Sequence, residues 1–258
     1  MSTLYLYFSG TGNTKLVMET YAIAMEANPM VHSIEHNVNF SQMIQSNDTI
    51  VFAYPIYESM MPHIMQEFVQ EHRSILHDKT IDVLVTQMLF SGDGAALLWR
   101  MIAHQNNTIR HTIHVNMPNN LTDVHLFRAK AAKDRTAMVE KSLRTLQRHI
   151  TYIKTGGTMR MGRKWYSRFL GLFVQRLYAK PLYDKMRTKL KVNHETCISC
   201  NKCVPLCPTN NLIMEENRII PQNRCTLCYR CINTCPTQAL SLFMKHGPKT
   251  QYIRDTYR

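Results

Sequence analysis

Apolar positions in the first two thirds of the chain come in short continuous runs separated by amphipathic stretches of helical length. Thr3 to Phe8 (TLYLYF) is aromatic and aliphatic throughout, as a strand buried on both faces requires, and it ends in the small-residue turn SGTGNTK. A helix is expected from Asn13 through Ala27, then a strand near Val31 to His36, a strong strand at Asp48 to Tyr54 and a helix from Pro62 to about Ile75. A strand at Thr80 to Met88, a helix near Gly94 to His104, a strand at Thr112 to Met117 and a long helix from Ala129 to Lys154 complete the series. Five strands alternating with helices imply an α/β fold whose parallel sheet is covered on both faces. Gly156-Gly157 ends the last helix and marks a boundary.

Beyond that boundary the pattern changes to cysteine. All eight cysteines fall in two near-copies of one motif, CISCNKCVPLCP (Cys197 to Pro208) and CTLCYRCINTCP (Cys225 to Pro236). Each reads C-x2-C-x2-C-x3-C-P, a run whose soft thiolates wrap a compact [4Fe-4S] cluster, so two runs imply two clusters. In such tandem runs the fourth cysteine serves the other cluster. The expected ligand sets are Cys197, Cys200, Cys203 and Cys235 for one, and Cys225, Cys228, Cys231 and Cys207 for the other. Zinc sites use paired C-x2-C units, and a doubled triplet would leave ligands unused. The segment from about 193 to 244 resembles a bacterial-type two-cluster ferredoxin.

The turn after the first strand carries a second chemistry. Ser9, Thr11 and Thr14 offer hydroxyls, Gly10 and Gly12 let amides turn towards one point, and the loop opens a helix whose N-terminus attracts an anion. It is not a nucleotide P-loop, because the second glycine before Lys15 is missing, and not the dinucleotide fingerprint, because Lys15 stands where the third glycine belongs. Ser9-Gly10-Thr11-Gly12-Asn13-Thr14 resembles the FMN phosphate loop of flavodoxins. That resemblance implies a doubly wound five-stranded sheet of order 2-1-3-4-5, with FMN at the switch between strands one and three. It also implies that two later loops flank the flavin ring. The first, Tyr54 to Pro62, offers Pro55 and Tyr57; the second, Met88 to Gly94, offers Phe90, Ser91, Gly92, Asp93 and Gly94. Unlike typical flavodoxins, the chain has no tryptophan in the first ring loop. His63, beside that loop, is a candidate proton donor. Asn116 to Asn120 faces the same end of the sheet.

Composition adds one complication, a net charge of +13. Residues 1–140 carry 9 basic and 13 acidic side chains, whereas 141–191 carry 14 basic residues against Asp184 alone and the last fourteen residues add +3, so the charge is a property of the connector and tail. No recognisable nucleic-acid-binding fold accompanies it. Within the connector Tyr166, Phe169, Leu170, Phe173, Val174 and Leu177 recur at helical spacing, with Arg160, Lys164, Arg168, Arg176 and Lys180 elsewhere on the helix, and Pro181 is expected to bend or stop it. The expectation is that the stripe docks the helix between the two domains while the charges are solvated. The alternatives are a face for an acidic electron-donor protein, for an anionic substrate or for anionic lipid.

The whole chain resembles the flavodoxin-ferredoxin fusion proteins of anaerobic bacteria and archaea. The implied organisation is a flavodoxin-like FMN domain at 1–155, a basic amphipathic helical connector at 156–192, a small α+β two-cluster ferredoxin-like domain at 193–244 and a tail at 245–258. The implied function is an FMN and iron-sulfur oxidoreductase in which clusters fed by an external low-potential donor, such as a ferredoxin, reduce FMN, which reduces a small substrate. The rival is a pure electron carrier; a redox sensor would need an output module that the sequence does not show. Cluster thiolates and the absence of a signal-like N-terminus or a membrane-spanning run are expected of a cytoplasmic protein.

Overall fold

The computed structural model describes residues 2–57, 60–90, 92–124 and 131–254, with the side chains of all of these except 174–176, 178 and 179. Five parallel strands form one sheet in the order β2-β1-β3-β4-β5: β1 (Thr3–Tyr7), β2 (Met30–Ser33), β3 (Thr49–Pro55), β4 (Thr80–Gln87) and β5 (Thr108–Asn116). This is the expected order. Register is continuous across the switch, with Leu6 opposite both His32 and Phe52. Alternation along each strand sends one set of side chains to each face. Leu4, Leu6, Phe52 and Val83 meet α3 (His63–Glu71) and α4 (Gly94–Ile102). Tyr5, Tyr7, Val51 and Leu84 meet α1 (Asn13–Met25) and α5 (Ala132–Lys154) on the other side. Both faces being dry explains why the strands read as continuous apolar runs.

Several elements differ from expectation. A short helix, α2 (Phe40–Gln45), lies between β2 and β3, seated on buried Phe40 and Ile44 and capped by the Asn39 side chain, which accepts from the Gln42 amide. β2 ends at Ser33. β5 begins four residues early, and the register slips between Ile81 and Asp82. At that slip the buried Asp82 accepts from Arg110 Nε at 3.1 Å and Nη2 at 2.6 Å and from the His111 amide. Residues 129–130, where α5 was expected to start, lie outside the described residues. Past α5 the chain returns along β5, where the Thr112 amide donates to the Met159 carbonyl and the Met161 amide to the Thr112 carbonyl.

The connector forms one helical stretch: α6 (Trp165–Phe169), π-helical turns over Leu170–Arg176, and α7 (Leu177–Met186). Pro181 does not stop the helix, and the apolar stripe departs from expectation. Pro181 lies inside α7 rather than ending it, because Tyr183 and Met186 just beyond it are buried in the core of the small domain, which outweighs the lost backbone bond. The apolar stripe does not dock between the domains: Tyr166, Phe169, Leu170, Phe173 and Leu177 are exposed. The helix meets the body through its small residues instead. Ser167 and Gly171 are buried, and a Cβ on Gly92 would stand 2.6 Å from the Gly171 Cα, an approach no aromatic face permits.

The small domain pairs β6 (Lys191–Val192) with β9 (Leu240–Ser241), holds a hairpin of β7 (Leu212–Glu215) and β8 (Arg218–Pro221), and has one short helix, α8 (Arg230–Thr234). Leu212, Ile219, Ile232 and Leu240 form its core, to which Met60 of the large domain contributes. No helix among the described residues is long and apolar enough to cross a membrane.

Candidate functional site

The loop between β1 and α1 is a tight turn with its polar groups inward. Gly12 sits at φ 97°, a left-handed conformation that a side chain would strain, and its amide donates to Ser9 Oγ at 3.2 Å. The Thr14 and Thr86 hydroxyls lie 2.8 Å apart, and Asn13 Nδ2 donates to the Pro118 carbonyl at 3.0 Å. Ser9, Gly10, Thr11, Asn13 and Thr14 line a cavity of about 360 Å³ at the C-terminal ends of the strands, where an open α/β sheet binds its ligand. Pro55, Tyr57 and Phe90 line it too. The Tyr57 hydroxyl is buried beside the Asn120 side chain, and burial pushes its pKa well up, so it stays protonated.

The second ring loop is used differently from expectation. Gly92, Asp93 and Gly94 do not line the cavity. Gly92 is pressed against Gly171, the buried Asp93 carboxylate pairs with Arg100, and Gly94 packs on Ile56 while its carbonyl accepts from the Tyr54 hydroxyl at 3.1 Å. These residues fix the loop that presents Leu89 and Phe90. Ser91 lies outside the described residues. His63 does not line the cavity either; it stacks on the Tyr183 ring at 4.7 Å, with Asp184 3.3 Å from its Nε2, and burial lowers its pKa. It is Tyr183, not His63, that reaches the cavity wall.

The cysteines gather in two fours. Cys197, Cys200, Cys203 and Cys235 line one small cavity, and Cys207, Cys225, Cys228 and Cys231 line another, so each set takes its fourth member from the other motif. The two copies share their backbone devices. Ser199 and Asn201 in the first, like Leu227 and Tyr229 in the second, adopt left-handed conformations that turn amides towards the thiols. Cys207 Sγ accepts from the Asn211 amide at 3.1 Å, and Cys235 Sγ from the Ala239 amide at 3.3 Å. Burial pushes the Cys203 and Cys228 thiols up to about 11 and Cys225 up to about 12. Bare thiolates are therefore unfavourable here, and a bound iron-sulfur cluster would supply the positive charge that makes them ligands.

Where the two units meet, the second four lies against the phosphate-type loop. Leu227 and Tyr229, on either side of Cys228, line the same cavity as Ser9 and Thr11. Arg230, only 4% exposed, donates to the Ser9 carbonyl at 2.8 Å, the Gly10 carbonyl at 3.1 Å, the Leu206 carbonyl at 3.1 Å and both Glu35 carboxylate oxygens. Asp123 accepts from the Tyr229 hydroxyl at 2.7 Å and from the Leu242 and Phe243 amides. Asn120, in the loop expected at this end of the sheet, lines the cavity and donates to the Cys228 carbonyl at 3.3 Å. Beyond residue 244 the chain returns to the large domain: the Tyr252 hydroxyl donates to Asn13 Oδ1 at 2.6 Å, and the Arg254 amide to the Thr11 carbonyl.

Sequence reasoning did not single out Arg230, Asp123 or Tyr252. Arg230 had a signal, since CTLCYRC carries Tyr-Arg where the first copy carries Asn-Lys. Tyr252 had none.

Comparison with known proteins places these units. Residues 4–157 match the flavodoxin domain family, and residues 190–213 and 219–241 match the 4Fe-4S binding domain family. Among solved structures, the two-electron reduced flavodoxin of Megasphaera elsdenii is 18% identical, with 55% of this chain and 98% of that one covered and a TM-score of 0.41. General stress protein 14 of Treponema denticola in complex with FMN is 16% identical, with 58% and 98% covered and a TM-score of 0.40. Flavodoxin 2 of Bacillus cereus is 11% identical, with 57% and 99% covered and a TM-score of 0.39. No curated protein matches. The flavodoxin match spans more than half of the sequence, and the chain belongs to the flavodoxin family, with a 4Fe-4S ferredoxin-type domain following the flavodoxin domain.

Proposed function

We propose that the chain is an FMN and iron-sulfur oxidoreductase that accepts electrons from an external low-potential donor, such as a ferredoxin, and reduces a small substrate. The observation that carries this reading is the cavity lined at once by Ser9–Thr14 residues and by Leu227 and Tyr229 of the second cysteine motif. When bound, two clusters pass single electrons and FMN collects them in pairs. Ser9, Gly10, Thr11, Asn13 and Thr14 would hold the FMN phosphate, shaped by the turn at Gly12, and Pro55, Tyr57 and Phe90 would meet the ring. The buried Tyr57 hydroxyl, on the cavity wall, offers a polar atom to a ligand there. Cys207, Cys225, Cys228 and Cys231 would form the inner cluster site. The other four form the outer one, where Cys200 and Ile198 are exposed to a donor. The division proposed from the sequence, at 155, 192 and 244, goes with this reading, although the tail belongs functionally to the FMN loop.

Exposed Leu89 and Phe90 at the cavity rim would equally suit a carrier that hands electrons to a protein. Anaerobic purification should give one FMN and about eight irons per chain, and the reduced protein should be reoxidised saturably by one class of small acceptor. Reoxidation by redox proteins alone would make it a carrier, and a preparation that binds no flavin would end both readings. Tyr252→Phe removes a buried bond to Asn13 and is expected to weaken FMN binding by about 1 kcal/mol, or about fivefold, in a flavin fluorescence titration.

A further inference from the structure

We propose that the stretch Trp165 to Leu182 is a docking element that lays the protein on an anionic membrane surface. Of the sixteen large hydrophobic side chains exposed among the described residues, eight belong to this stretch, and Leu89 and Phe90 come from the loop packed beneath it. Trp165 is 78% exposed, Phe169 52% and Phe173 48%. Ser167 and Gly171 face the body, so the aromatic side of the helix points away from it.

Charge selects the occupant. Asp184 is the only acid between residues 141 and 191, and it is already paired with Lys180 at 2.8 Å. Arg160, Lys164 and Arg168 are exposed beside the apolar side chains, and the Lys164 ammonium lies over the Tyr166 ring at 5.7 Å. A broad apolar face of Trp, Phe and Leu with flanking Lys and Arg matches a helix lying in the headgroup region, where the rings enter the acyl boundary and the cations meet phosphate. A narrower seam would be expected of a helix made for a partner helix. The same orientation brings Leu89 and Phe90, at the cavity rim, to the lipid side. None of this depends on the redox chemistry proposed above.

The test uses the full holoprotein with vesicles of phosphatidylcholine, with and without phosphatidylglycerol. Sedimentation with the anionic vesicles at low salt is expected, weakening as salt rises. In a Trp99→Phe background the Trp165 emission should shift to the blue on vesicle addition. Joint substitution of Trp165, Phe169 and Phe173 by Ser should lower vesicle affinity about tenfold or more, and Lys164→Glu and Arg168→Glu about fivefold each, with iron and flavin content unchanged. Protein that stays in the supernatant with anionic vesicles would overturn the proposal, as would binding unaffected by the triple substitution. A dimer lost in the triple variant, without vesicle binding, would assign the face to a second copy. Salt-sensitive binding to an acidic ferredoxin but not to vesicles would assign it to an electron donor. Either result would refute a lipid surface.

Discussion

Arg230→Met is expected to lower the stability of the holoprotein by roughly 3–5 kcal/mol. The guanidinium is buried and its hydrogen bonds include those to three carbonyls and to both oxygens of a Glu35 carboxylate whose side chain is itself only 19% exposed. Methionine fills similar space but leaves the carboxylate without its counter-charge and three carbonyls without their donor. The three carbonyls belong to different segments: Ser9 and Gly10 to the phosphate-type loop, Leu206 to the approach to Cys207. Losing them therefore loosens the junction as well as the pair. Urea unfolding under anaerobic conditions measures the first effect, and flavin retention on dilution measures the second. Arg230→Lys should recover only part of the loss, since an ammonium cannot span a bidentate carboxylate and two carbonyls together. Glu35→Gln combined with Arg230→Met should cost less than the two single changes added, by about 1–3 kcal/mol. A variant within about 1 kcal/mol of the parent would mean that the junction is held elsewhere.

What the sequence made legible is whatever depends on spacing along the chain. The five-strand order is implied by the resemblance of SGTGNT to the flavodoxin loop, and the grouping of eight cysteines by two repeated runs. Contacts distant in sequence left little trace. Asp123 sits in an ordinary polar stretch and becomes an acceptor for Tyr229, Leu242 and Phe243 only when the small domain folds over it. Tyr252 reaches Asn13 across most of the chain. The connector helix misled for a different reason. Its apolar period was read correctly as helical, but period does not say which side faces the body. Two small residues between the aromatics, Ser167 and Gly171, decided that. Gly92 and Gly94 carry a packing role that the sequence did not show, since their small size lets them close against Gly171 and Ile56.

Gly10→Ala is expected to separate the two units while leaving each folded. Gly10 has no left-handed backbone to explain it, so its requirement is spatial: a Cβ there would overlap the Cys228 carbonyl oxygen and come within 3.0 Å of the Tyr57 hydroxyl. Tyr57 can swing away, but the carbonyl belongs to a loop pinned by the Cys225 to Cys231 ligand set and by Asn120. Overpacking of this kind costs about 1–3 kcal/mol, and here it falls on the contact between the phosphate-type loop and the inner cysteines. Gly12→Ala makes the contrast, because at φ 97° a side chain strains the loop's own backbone. Hydrogen exchange separates the two cases. In Gly10→Ala the α8 amides, such as that of Asn233 bonded to the Tyr229 carbonyl, should exchange about tenfold faster or more, while flavin affinity falls less than in Gly12→Ala. In Gly12→Ala flavin affinity should fall most and α8 should keep its protection. If Gly10→Ala left α8 exchange unchanged, the backbone contact at Cys228 would not be what couples the two domains.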